Sequence, residues 1–172
     1  MCVRSWRGWE GRMPDGLYER DILAWSEEQA RLLQRIADGE AGVNAVVDWP
    51  NLIEEVQDVG LSQLKACQSL LRQALVHLLK LHAWPGSQSA EHWQDEAEAF
   101  LADARDRFSP SMRQKLNVTE LYEDALHRVS SKSDRSGKAR PASDACPFTL
   151  DDLLQRRPDM QALVARLGGA DA

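Results

Sequence analysis

The sequence predicts an all-α fold, for three reasons. Apolar residues recur by threes and fours through most of the 172 residues, which is the signature of one buried helix face. No segment of any length alternates with the two-residue period of a half-buried strand. Between the periodic stretches stand prolines, glycines and polar runs of the kind that stop and restart helices. The expected architecture is a single-domain helical bundle with a long kinked central helix and a short C-terminal helical tail, since 172 residues can bury one proper core and are short for two.

Residues 1–16 show no period and read as a disordered leader. Met13 stands just before the first regular pattern, so a true start there would account for the leader; alternatively Trp6 and Trp9 dock. The helical bundle is expected over 17–129. Its first helix, 17–38, carries Tyr18, Ile22, Trp25, Leu32, Leu33 and Ile36 at helical spacing and stops at Gly39. The stretch from Asp48 to Trp84 has the most persistent stripe, running from Trp49, Ile53 and Val56 through Gly60 to Leu64, Cys67, Leu71 and beyond. Asp48 suits an N-cap and Pro50 a first turn. Because the apolar phase survives Gly60, a kinked or briefly interrupted helix is expected there, with Pro85 and Gly86 ending it.

A further helix is expected from about Ser89 to Phe108, with Trp93, Ala97, Phe100, Leu101 and Ala104 on one side. Ser109 and Pro110 restart the chain as N-cap and first helical position. The next helix runs from Met112 to Val129 and is loosened at Asn117, Val118 and Thr119, where propensity is poor. Residues 130–142 (SSKSDRSGKARPA) are polar and aperiodic and read as a flexible linker. Residues 143–172 are expected to form a C-terminal helical segment that packs on the bundle. Thr149 and Asp152 form a capping pair for its first short helix, Pro158 breaks it, and a last helix runs from Met160 to Leu167.

The formal net charge is −6. With +2 on residues 1–12 and +3 on 130–142, the rest carries −11, which argues against a general nucleic-acid binder, because phosphate contact needs a concentrated basic surface. Cys2, Cys67 and Cys146 are far apart and make no CxxC pair, so they read as reduced thiols. No apolar run of about 18 residues could span a bilayer. No apolar stretch follows the N-terminal arginines as in a secretion signal. The expectation is a cytoplasmic protein with no membrane partner.

Seven segments also match something known: LYERDILAWSEEQARLL (17–33), VDWPNLIEEVQDVG (47–60), LVHLLKLHAWP (75–85), Trp93, SPSMRQKL (109–116), LYEDALHRV (121–129) and CPFTLDDLL (146–154). In order and spacing over 17–155 they resemble a bacterial family known as domain of unknown function 29. The resemblance implies an all-helical fold and transfers no activity. Pro50 and Gln57 stand where family members more often carry acidic residues, and the loop from Gly39 to Ala45 looks longer than usual. The linker and the tail beyond Pro158 look particular to this chain.

Glu54, Glu55 and His77 are the one constellation that invites a catalytic reading. A di-metal centre in a bundle wants a Glu-x-x-His pair repeated on a partner helix, and neither is present. On a continuous helix the 22 residues between Glu55 and His77 separate them by about 33 Å. The bland alternatives are a helix-end role for the glutamates and a hydrogen-bonded boundary role for His77. His82, His92 and His127 stand alone on mixed faces. Lys80 is expected to lie along the bundle edge, and Trp25, Trp49, Trp84 and Trp93 to pack at helix junctions. No GxSxG, glycine-rich phosphate loop or paired Cys and His is found, and Cys67 falls on the buried stripe.

The reading that results is a small helical protein-interaction module, with enzyme activity left open and no metal and no cofactor expected. Its partner is another protein, and a homodimer stays open. The polar interaction cluster expected beside the apolar stripe is Asp48, Asn51, Glu54, Glu55, His77 and Lys80. Two alternatives are kept: a metal-dependent or acid/base enzyme on Glu54, Glu55 and His77, and a nucleic-acid-associated regulator using the basic linker.

Overall fold

The structure, a computed structural model, describes residues 17–39, 49–130 and 138–169, and every regular element among them is helical. The expected leader, Asp48 and most of the 130–142 linker lie outside the described residues. The chain falls into two compact units, residues 1–60 and 61–172, which meet in sequence at Gly60.

In the first unit, α1 (Leu17–Arg20) and α2 (Ile22–Gly39) replace the one helix expected over 17–38. The break falls at Asp21, whose carboxylate accepts the backbone N–H of Ala24 at 3.0 Å and so caps α2. Helix α3 (Trp49–Ala83) runs uninterrupted for 35 residues, and its first part, through Gly60, belongs to this unit. Gly60 is therefore not an interruption. It is a point of close approach: a Cβ there would lie 2.1 Å from Ser26 Oγ and 2.9 Å from Leu23 Cα. Ser26 and Ala30 supply the matching small side chains on α2, both fully buried, and Ser26 Oγ donates to the Leu23 carbonyl at 3.0 Å.

The second unit is built on the rest of α3, where Cys67, Leu71, Ala74, Leu75 and Leu78 are fully buried. Helix α4 (Ala90–Arg107) contributes Ala97, Leu101 and Ala104 to the same core, and the Cys67 thiol reaches the Ala104 carbonyl at 3.5 Å. The helix expected from Met112 to Val129 is two elements: a 3₁₀ helix, Pro110–Gln114, and α5 (Val118–Ser130). The weak-propensity stretch at 117–119 is thus a full restart, with the Asn117 side chain accepting the Glu120 N–H.

Helix α6 (Leu150–Leu153) opens with the expected capping box, the Thr149 hydroxyl accepting from the Asp152 N–H while the Asp152 carboxylate accepts from the Thr149 N–H. Helix α7 (Met160–Arg166) is capped by Asp159 and followed by Gly169 at φ +77°. The phenol of Tyr122 donates to the Ser143 carbonyl at 2.6 Å, and Ser143 N–H donates to the Leu167 carbonyl at 2.8 Å. Arg113 pairs with Asp151 at 2.7 Å, and Arg166 bridges Asp152 and the Pro147 carbonyl. No helix among the described residues is long and apolar enough to cross a membrane.

Candidate functional site

The first unit keeps its buried side small and exposes larger apolar groups. Tyr18 is 55% exposed, Leu32 37%, Ile36 41%, Leu52 40% and Val59 42%. These are the large exposed apolar side chains among the described residues, and all five lie between residues 17 and 60. Tyr18, Leu32 and Ile36 were expected to face a core. The helical period was right and the assignment of burial was not, because Leu23, Ser26 and Ala30 take the inner face of α2. Tyr18 meets Trp25 edge-on, with ring centroids 4.9 Å apart.

Of the expected polar cluster, Asn51, Glu54 and Glu55 lie exposed on the first-unit part of α3. Glu54 borders a cleft of about 410 Å³ together with Gln34, Ala37, Trp49, Ile53 and Gln57. His77 and Lys80 belong to the second unit, where each has partners the sequence did not indicate. His77 Nδ1 lies 3.2 Å from Glu96 Oε2, and His92 Nε2, one turn before Glu96 on α4, lies 3.4 Å from the same oxygen. The His77 ring stands 5.7 Å from that of Phe100. Lys80 Nζ sits 5.4 Å from the centre of Trp93, whose ring in turn lies 6.3 Å from Trp84.

The His77–Glu96 contact ties α3 to α4, while His92 reaches the same carboxylate from within α4. Among the described residues no group of three His, Cys, Asp or Glu side chains is placed to hold a metal ion. Burial pushes the Cys67 thiol up to about 11 and raises that of Cys146, so neither is a ready thiolate at neutral pH. A second cleft, of about 440 Å³, is lined by Leu81, Pro85, Met160 and Val164, with Glu91 as the one ionisable residue of its lining.

These features define an all-helical protein with an apolar, partly exposed helix pair. Its fold is shared with an α-helical protein of unknown function from Rhodospirillum rubrum, at a TM-score of 0.78 and 24% identity, over 88% of this chain and 97% of that one. Residues 17–157 match the family described as "Domain of unknown function DUF29", and the chain belongs to that family. Among curated proteins none matches.

Proposed function

We propose that this chain is a bacterial, cytoplasmic interaction module that works by binding another protein through its first unit. The observation that carries the reading is the set of five exposed large apolar side chains gathered in residues 17–60, since apolar groups clustered on a surface mark binding sites far more often than scattered ones do. Asn51 and Glu55 supply exposed polar groups on the same helix, as an interface rim requires, and Glu54 stands one residue away at the cleft. The net charge of −6 disfavours nucleic acid as the partner.

A photo-crosslinking amino acid at Leu52 should give a discrete covalent adduct in the cell of origin, and the same group at exposed Gln161 should give none. Glu54→Gln with Glu55→Gln should weaken that capture and leave the melting temperature unchanged. Protein purified without a metal-binding tag should carry no stoichiometric transition metal. About one metal per chain, lost in His77→Ala together with stability, would overturn the module in favour of a metal enzyme.

A further inference from the structure

Within the first unit α2 and the start of α3 run antiparallel, because Gly60 faces Leu23 and Ser26 while Trp49 and Ile53 share a cleft with Gln34 and Ala37. At 3.6 residues per turn, Leu32 and Ile36 stand roughly 130° around α2 from its inner line, and Leu52 and Val59 roughly 80° around α3 from its own. Both rotations have the same sense. In an antiparallel pair, equal senses turn to the same side, so these residues and Tyr18 share one side of the pair and the Gln34 cleft takes the other.

Along α1 and α2 that side reads Tyr18, Ile22, Trp25, Gln29, Leu32, Ile36, with successive spacings of four, three, four, three and four. Such spacing is the interval of a seam that receives another helix, with one polar residue in it. The occupant is indicated by charge. Residues 1–60 hold six Lys and Arg against twelve Asp and Glu, hence −6, while residues 61–172 hold fifteen of each. The whole net charge of the protein therefore lies in the unit with the exposed seam. A second copy would bring −6 against −6, whereas a cationic partner would be attracted and steered to the site.

We infer that this side of the first unit docks a basic amphipathic helix of another protein, its apolar stripe laid between Leu32 and Leu52, with Glu55 beside the stripe and its Lys or Arg residues drawn by the net negative charge of the unit. The inference rests on the interaction-module reading and names the partner's chemistry.

The test uses the full chain and three labelled synthetic peptides of about five turns, followed by fluorescence anisotropy. One has a Leu stripe at helical spacing with Lys elsewhere, one replaces Lys by Glu, and one scrambles the Lys/Leu order. The Lys/Leu helix should bind saturably, about tenfold or more tighter than its scrambled form, and weaken as salt rises. Leu32→Ser with Leu52→Ser should weaken it at least about tenfold at unchanged melting temperature. Should that variant melt early, Glu55→Lys decides, because it removes no apolar packing: it should weaken the Lys/Leu helix alone. Equal binding of the scrambled or the Glu peptide would overturn the inference. So would a wild-type dimer in sedimentation that the double substitution dissolves, and either result leaves the module reading intact. No binding by any peptide or second copy, with about one tightly held metal per chain, would overturn both.

Discussion

Replacing Gly60 by Ala sets two opposed effects against each other within one helix. Alanine in a helix interior is favoured over glycine by about 1 kcal/mol, so an unhindered site would be stabilised by that amount. At Gly60 the added methyl would fall 2.1 Å from Ser26 Oγ and 2.9 Å from the Cα of Leu23. The hydroxyl can rotate away at the expense of its bond to the Leu23 carbonyl, but Leu23 Cα is backbone and yields only if α2 moves. Forced overpacking costs about 1–3 kcal/mol and can cost more, and with a main-chain atom in the way the upper part of that range applies. The expected net effect is a loss of about 1–2 kcal/mol, set by overpacking less the helix gain.

Urea titration by circular dichroism, together with native-state hydrogen exchange of the α2 amides, would localise that loss to the first unit. Gly39→Ala is the control, since nothing lies within 4 Å of a Cβ placed there. Adding Ser26→Ala to Gly60→Ala removes the nearer obstacle and should recover part of the loss. A Gly60→Ala protein more stable than wild type by about 1 kcal/mol would refute the close approach and return Gly60 to the role of a simple helix weakener.

Three other outcomes follow from the second unit. Leu71, fully buried in the stripe of α3, should cost about 2–5 kcal/mol on truncation to Ala in the same titration, and a change below about 0.5 kcal/mol would place it on the surface. The Asp152 carboxyl is held well below its usual range, first by the Arg166 hydrogen bond and then by Thr149. Its contribution is therefore complete above the ordinary carboxylate value near 4 and is lost as pH falls through the lowered one. Asp152→Asn should destabilise α6 at neutral pH by about 0.5–2 kcal/mol, the range for lost caps, and the difference from wild type in denaturation midpoint should shrink in acid. Finally, Tyr122→Phe leaves the half-buried Ser143 carbonyl without its 2.6 Å donor, a loss of about 1–3 kcal/mol that thermal melting would detect.

Most of the element order was legible in the sequence because it depends on local chemistry. The three-and-four spacing of Leu64, Cys67, Leu71, Ala74 and Leu78 marks a face that any helix must bury, and all five are buried. Thr149 and Asp152 cap each other through atoms three residues apart, so no distant neighbour is needed to place that helix start. The motif order through 17–155 carried the family, which the match over 17–157 shows.

Periodicity states that a face is apolar and leaves open what covers it, and that question only the tertiary structure decided. On α2 two apolar lines compete, and the line with Ser26 and Ala30 turns inward because small side chains let the backbone come within reach of Gly60, which leaves Tyr18, Leu32 and Ile36 outside. His77 was grouped with Glu54 and Glu55 for the chemistry of carboxylates and imidazole, although a continuous helix sets it about 33 Å from Glu55. Its partner is Glu96, on another helix, for packing pairs residues by distance in space and the chain records only distance along itself.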